Sequence, residues 1–137
     1  MNPEIKITSS NTSSGTIKVA FATNDAENID AHFGSAKEFH VYTISTEGYE
    51  VVSIIKIETK DTDKTVALLL GIDIVYFVNI GPTAAAKIIR KGVFPIKYKE
   101  VVGIEEELEK LKNMLGDNPP PFIKKIIEKK TENAEVA

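Results

Sequence analysis

Cysteine and tryptophan are absent from this chain of 137 residues. Without cysteine there are no disulfides, no thiolate zinc sites, no thiolate-held iron–sulfur clusters and no cysteine nucleophile. A large excess of one charge is lacking as well, since 17 basic residues face 20 acidic ones and the net charge is -3. A dedicated nucleic-acid binder usually shows a basic excess, so we expect no nucleic-acid partner.

Long apolar runs are also missing. No segment approaches the roughly 18 consecutive apolar residues that span a bilayer, and residues 1–14 lack the apolar stretch of a signal peptide. We therefore expect no membrane association and a cytoplasmic protein. The hydrophobic fraction of 42% and the charged fraction of 27% are ordinary for a globular protein. The length predicts one core with appendages.

The composition divides the chain into three segments. Residues 1–14 end in TSSNTSS, which is too polar to bury and predicts a flexible leader. Residues 15–116 carry the patterns of a folded domain. Residues 117–137 start with a proline run that predicts a stiff spacer and continue as a short amphipathic helix. Its apolar stripe is Phe122, Ile123, Ile126 and Ile127, opposite Lys124, Lys125, Lys129 and Lys130. The stripe suits docking on the parent domain and docking on a partner equally well.

The central segment alternates between strand and helix patterns. Predicted strands are 16–22, 38–45, 51–57, 72–80 and 93–98, and predicted helices lie between Asp61 and Gly71, between Gly81 and Gly92, and from Ile104 to Gly116. The first three strands predict an antiparallel unit, and the last two predict parallel strands joined by right-handed crossovers. We expect an α/β fold with a mixed five-stranded sheet, order 3-2-1-4-5 along the chain numbering, and helices on both faces.

Ligands of an open α/β sheet bind beyond the carboxyl ends of strands, where the strand order reverses. Here that point is flanked by loops 23–34 and 79–83. His32 is the main candidate in the first loop, because imidazole is the commonest metal ligand and Gly34 allows a backbone geometry that aims the ring outward. The alternative is that His32 only bonds a backbone carbonyl and shapes a turn. His40, inside a strand, is interpreted as structural.

The second loop begins a helix at Gly81. Free amide groups and the positive end of the helix dipole favour an anion there, although every helix has such an end. The basic stretch Lys87–Lys99 either attracts an anionic ligand or forms a solvated face. The candidate binding residues are His32, Phe33, Gly34, Asn24, Asn79, Gly81, Thr83 and Arg90, with His32 as the metal ligand.

Catalytic constellations are sparse. Ser35 lies close to His32, but nothing matches a nucleophile elbow or a triad. On paper Asp25, Asp30 and Asp73 make a two-metal phosphoryl-transfer site. Asp73, however, starts a strand at the wrong end for the expected cleft.

Three segments of the chain resemble the dinitrogenase iron–molybdenum cofactor biosynthesis family: IDAHFGSAKEFHVYTI, IVYFVNIGPTAAAKIIRKGVFPIKY and GIEEELEKL. The resemblance runs over nearly all of residues 16–115, and the combination of DxHFGxA with xxIGxxAxxxxxxxGxxP carries it. The proline-rich tail is similar to the extension found in one branch of that family.

The resemblance implies a ribonuclease-H-like three-layer fold without nuclease activity. It implies a non-enzymatic carrier that binds the iron–molybdenum cofactor or its iron–sulfur precursor and takes it from the assembly scaffold to apo-dinitrogenase. In relatives a histidine of the HFG segment is implicated in holding the cluster, and here that position is His32. Some relatives add a nearby cysteine, which this chain lacks.

Two other functions stay open beside the carrier. One is a metal-dependent phosphoryl-transfer enzyme or nuclease on the same fold, which would depend on Asp25. The other is an adaptor that holds no cluster and acts through residues 117–137.

Overall fold

The computed structural model describes residues 16–116 and 119–136, with side chains up to Glu128. The predicted leader 1–14, residues 117 and 118 of the spacer, and the side chains of Lys129 and Lys130 lie outside it. The strands in the described residues are β1 (Ile17–Thr23), β2 (Asn28–Ile29), β3 (Glu38–Ser45), β4 (Gly48–Lys56), β5 (Ile74–Phe77), β6 (Phe94–Lys97) and β7 (Val102–Gly103). The helices are α1 (Thr62–Leu68), α2 (Pro82–Arg90), α3 (Ile104–Gly116) and α4 (Pro121–Val136), and Phe33–Ser35 form a 3-10 turn.

The main sheet has five strands in the order β4-β3-β1-β5-β6. β1 pairs antiparallel with β3 and parallel with β5, and β6 pairs parallel with β5. β1 lies between two partners and is buried on both faces apart from Lys18. The strand predicted over 72–80 is shorter in the structure, where it spans Ile74–Phe77. Before it, the Ile72 N–H donates to the Leu69 carbonyl in a turn, and after it the Val78 N–H donates to the Ala31 carbonyl.

Helices cover both faces of the sheet. α1 and α2 pack on one face through Val66 and Ile88, and α3 covers the other with an apolar stripe of Ile104, Leu108, Leu111 and Leu115. Local chemistry sets where these helices begin. The Asp61 carboxylate accepts the Lys64 N–H at the start of α1, and Pro82 occupies the first position of α2.

A second sheet, which the sequence analysis did not predict, joins β2 to β7. Asn28 pairs with Gly103 and Ile29 with Val102. The Ile104 N–H then donates to the Glu27 carbonyl at 3.0 Å, so the start of α3 is tied to the loop that follows β1. This small sheet anchors one side of the loop that carries His32.

Both edge strands of the main sheet carry features that discourage pairing with another chain. β4 has a bulge at Val52, since Val41 pairs with Ser53 and Tyr42 pairs with Val51. β6 contains Pro95, which lacks an N–H to donate.

The C-terminal helix α4 docks on the parent domain. The Phe122 ring stacks on Phe94 with centroids 4.7 Å apart. Ile123 is fully buried, and Ile126 and Ile127 pack against the same core as α3. The apolar stripe therefore covers the domain, which answers the question left open by its sequence. Within the described part of the chain, no helix has the length and apolar character needed to cross a bilayer.

Replacing Ile123 with alanine tests this docking. Loss of a fully buried isoleucine side chain should lower the free energy of unfolding by about 2–4 kcal/mol, measured by urea denaturation. Ile89→Ala is the matched control, because Ile89 is 60% exposed and its loss should change stability by less than about 0.5 kcal/mol. Equal small effects for the two variants would contradict the docking of α4.

Candidate functional site

Backbone hydrogen bonds join the two loops expected to flank the site, 23–34 and 79–83. The Val78 N–H donates to the Ala31 carbonyl at 3.0 Å, and the Phe33 N–H donates to the Asn79 carbonyl at 2.9 Å. His32 and Asn79 thus form an isolated parallel bridge that extends the pairing beyond the sheet. The turn with His32 is fixed beside the segment that leads into α2.

An open depression of about 290 Å³ lies between these loops. His32 is exposed at its wall. Its lining residues are His32, Phe33, Gly34, Ser35, Asn79, Ile80 and Gly81, with no acidic side chain among them. Five of the eight predicted residues therefore come together here. Ser35 and Ile80 were missing from the predicted set. Ser35 follows Gly34 in the sequence and Ile80 precedes Gly81, so their position next to predicted residues could have identified them.

Two of the lining residues contribute differently from the prediction. Phe33 is 6% exposed and its ring meets Phe77 edge-on at 5.5 Å, so the ring is part of the core. Gly34 does not adopt the left-handed conformation, so the expected need for glycine backbone freedom is wrong. A Cβ at this position would meet no atom within 4 Å. Gly34 therefore leaves its part of the depression free of side-chain atoms.

Asn24 lies outside the lining and holds the loop in shape. Its side-chain oxygen accepts the Lys37 N–H at 2.8 Å, and its own N–H donates to Asp30 Oδ1 at 2.8 Å. These bonds close the segment from Asn24 to Lys37 into a loop with His32 near its middle. Asn24 and Asp30 thus position the turn, and neither lines the depression.

Asp25 organises the start of the same loop. Its Oδ1 accepts the N–H groups of Glu27 and Asn28, both at 2.8 Å, and its Oδ2 accepts the side-chain amide of Asn28 at 2.7 Å. These hydrogen bonds lower the pKa of Asp25 from 3.8 to about 2, and the bond from the Asn28 side chain has the largest effect. Both carboxylate oxygens are occupied by the loop itself.

The depression is bounded on its other side by the start of α2. Gly81 precedes the helix without any side-chain cap, and Asn79 Oδ1 accepts the Ile80 N–H at 2.9 Å. Gly81 thus brings the positive end of the α2 dipole beside the depression, although the first helical residue, Pro82, has no N–H to offer. Thr83 is exposed in the first turn but does not line the depression.

Arg90 is not brought to the site. It ends α2, eight residues after Pro82, and at 1.5 Å per residue this places it about 12 Å along the helix from the first turn. Lys87, in the same basic stretch, forms an ion pair with Asp63 at 2.7 Å. That hydrogen bond and charge lower the pKa of Asp63. Neither Lys87 nor Arg90 lines the depression.

The aspartates of the phosphoryl-transfer alternative are not assembled. Asp25 follows the carboxyl end of β1, whereas the Asp73 carboxylate accepts the Lys18 N–H at 2.8 Å near the opposite end. The length of β1 separates them by about 20 Å. Among residues 16–116 and 119–136, no group of three histidine or acidic side chains is arranged to hold a metal ion.

The second histidine is buried within the main sheet. His40 lies within β3 and is 7% exposed. Its Nε2 lies 2.6 Å from Glu38 Oε1 on the same strand face. This contact satisfies a polar ring inside the sheet and leaves His32 as the exposed imidazole in the described part of the chain.

Comparison with known proteins relates the chain to nitrogenase cofactor biosynthesis. The sequence model of the family described as dinitrogenase iron-molybdenum cofactor matches residues 15–114. Protein NifX of Rhodobacter capsulatus is 33% identical over 123 residues, which cover 81% of this chain and 77% of that protein. Protein NifY of Azotobacter vinelandii is 28% identical over 114 residues, which cover 80% of this chain and 47% of that protein.

Solved structures share the fold. The crystal structure of PH0822 superimposes with a TM-score of 0.61 at 20% identity, covering 71% of this chain and 89% of that one. A second structure, from Methanocaldococcus jannaschii, gives a TM-score of 0.52 at 18% identity, covering 72% of this chain and 89% of that one. At these identities the likeness concerns the fold alone.

The role of Asp25 in shaping the loop can be tested through pH. Because the pKa of the folded state is about 2 and the ordinary value is 3.8, the stabilisation by the carboxylate is complete above about pH 4 and is lost as pH falls through about 2. Asp25→Asn lacks this titration. The difference in urea midpoint between wild type and Asp25→Asn should therefore narrow as pH falls from about 5 to about 2. A difference in urea midpoint that stays constant over this pH range would show that the Asp25 carboxylate does not stabilise the loop.

Proposed function

The chain belongs to the dinitrogenase iron-molybdenum cofactor family, and we propose that it binds the iron–molybdenum cofactor or its iron–sulfur precursor and hands it on during cofactor biosynthesis. In this proposal the cluster is cargo and the protein is a carrier without catalytic turnover. Its partners are the cofactor assembly scaffold that supplies the cluster and the apo-dinitrogenase that receives it. The relatives named NifX and NifY support this assignment.

One observation carries the proposal: an exposed imidazole faces an open depression beside an uncapped helix N-terminus. His32 offers a nitrogen ligand to an iron atom at the surface of a cluster. The positive end of the α2 dipole, beside Gly81 in the lining, attracts its anionic sulfides. The lining carries no carboxylate that would repel such a cluster.

The chemistry of this donor set suits transfer better than storage. Thiolates are the usual ligands of iron–sulfur clusters, and this chain has no cysteine. A single imidazole with backbone amides holds a cluster less firmly than several thiolates would. The depression is also open, so a receiving protein can approach the cargo directly. We propose that weak, accessible ligation is what makes the hand-over reversible.

We also propose that the fold is of the ribonuclease-H-like class. The antiparallel unit β4-β3-β1, followed by the parallel strands β5 and β6, supports the assignment. The separated aspartates support a version of that fold that lacks nuclease activity.

The ligand role of His32 is tested by anaerobic gel filtration of the protein with isolated cluster precursor, reading iron in the protein peak. We expect His32→Ala to bind the cluster roughly tenfold more weakly than wild type, about 1.4 kcal/mol, with an unchanged circular dichroism spectrum. Arg90→Ala is the matched control, because it removes a charged residue at the far end of α2 and should bind like wild type. Iron retained equally by all three proteins would place the site elsewhere, and iron retained by none would refute binding of the precursor.

The place of the cargo is tested separately at Gly34. Since a Cβ there meets no atom within 4 Å and the backbone is not left-handed, Gly34→Leu should change stability by less than about 0.5 kcal/mol. The leucine side chain fills part of the depression and should lower the iron co-eluting with the protein, with Gly34→Ala intermediate. If Gly34→Leu binds the precursor as well as wild type does, the cluster does not enter this depression.

A further inference from the structure

A second concave surface lies on the face of the main sheet that α3 covers. It has a volume of about 420 Å³ and is formed by the start of α3 and by strands β3 and β4, with contributions from β2 and β7. Tyr42 of β3 and Tyr49 of β4 supply its aromatic side chains, and their ring centroids lie 6.3 Å apart. We call this surface the α3–β4 groove.

Every charged side chain that lines the α3–β4 groove is acidic. Glu27, Glu105 and Glu106 are exposed along it, and none of the three forms an ion pair with another residue that the structure describes. The Glu106 carboxylate lies close over Gly103, where an added Cβ would be 2.6 Å from Oε1. The charges of the lining therefore add up instead of cancelling.

The lysines of α3 do not neutralise this surface. Lys110 Nζ lies 3.9 Å from Glu107 Oε1 and over the ring of Tyr98. Lys112 Nζ lies 3.5 Å from Glu109 Oε1. Neither lysine lines the α3–β4 groove, so both charges are directed to other groups.

The two tyrosines lie in the negative field of these carboxylates. Burial, and then the charge of Glu105, raise the pKa of Tyr42. The Tyr49 hydroxyl donates to Glu109 Oε2 at 2.8 Å, and this bond, followed by burial and by the charges of Glu109 and Glu105, raises the pKa of Tyr49 to about 12. Both rings therefore stay neutral at physiological pH, and a neutral tyrosine face attracts ammonium and guanidinium groups.

The spacing of the carboxylates and a neighbouring apolar side chain select the kind of cation. Within the described residues no three acidic or histidine side chains are close enough together to hold a metal ion, so the groove suits larger cations with their charge on an organic group. Val51 is 51% exposed and pairs with Tyr42, which puts both side chains on the same face of the sheet. A polypeptide can cover this valine and place basic side chains in the groove at the same time.

We propose that the α3–β4 groove is a docking site for a segment of a partner protein that carries lysine or arginine side chains beside an apolar residue. The basic side chains of the segment face Glu27, Glu105 and Glu106 and lie against the two tyrosine rings. Its apolar residue covers Val51. Complementary charge selects this occupant, and the contact goes beyond the carrier function because it needs no bound cluster.

A displayed library of random peptides, selected on the full chain, tests the proposal because it offers every combination of charged and apolar side chains. Selection should enrich peptides that contain both basic and apolar residues. The best peptide, titrated by fluorescence anisotropy, should bind Glu105→Gln/Glu106→Gln at least about tenfold more weakly than wild type, and Val51→Ser should also bind it more weakly. Salt at about 1 M should weaken binding to wild type by screening the carboxylates.

Glu58→Gln/Glu128→Gln is the matched control, because it removes the same charge from two exposed glutamates outside the groove. This variant should bind the selected peptide like wild type, and both double variants should keep the circular dichroism spectrum of wild type. Equal weakening in the two double variants would mean attraction to the overall negative charge and would overturn the proposal. Equal binding by all three proteins, or enrichment of acidic peptides, would overturn it as well.

The alternative occupant is a second copy of this chain. Failure to enrich any peptide would overturn docking of a partner segment. If wild type then forms a concentration-dependent dimer in analytical ultracentrifugation and Glu105→Gln/Glu106→Gln does not, the groove belongs to an interface between two copies.

Discussion

The parallel pairing of β1 with β5 is the constraint on which the His32 site depends. Parallel neighbours bring their carboxyl ends to one edge of the sheet, so the loop after β1 and the loop after β5 leave the sheet side by side. The two hydrogen bonds between Ala31 and Val78 and between Phe33 and Asn79 continue that pairing into the loops. A depression with an exposed imidazole on one wall and a helix N-terminus on the other follows from this arrangement.

The other face of the sheet supports the same loop. β2 pairs with β7, and the Ile104 N–H donates to the Glu27 carbonyl. The start of α3 therefore holds the chain between β1 and His32 in place. α3 is itself held by a buried apolar stripe and by Glu107, whose carboxylate accepts the Tyr98 hydroxyl at 2.7 Å. Burial, and then that carboxylate, raise the pKa of Tyr98. The position of His32 is thus set by packing on both faces of the sheet, and the residue itself stays in solvent.

Sequence patterns predicted the long, periodic elements and the two loops of the site. The five-stranded mixed sheet could be predicted because strands of four or more residues carry enough apolar positions to show a pattern. β2 and β7 could not, since two residues such as Asn28 and Ile29 have no period. Phe33 shows the same limit, because an aromatic residue beside His32 does not reveal that its ring turns to Phe77 and the core. The distance of Arg90 from the site, in contrast, follows from the length of α2 alone.

The C-terminal helix α4 leaves the His32 depression open. The Phe122 ring stacks on Phe94 at the start of β6, and β6 runs parallel to β5, so α4 docks at the amino end of the sheet. The depression lies beyond the carboxyl ends of β1 and β5, about 20 Å away along the strand direction. In the carrier role proposed above, a cargo in the depression therefore stays accessible to an acceptor, while α4 stabilises the domain without covering that site.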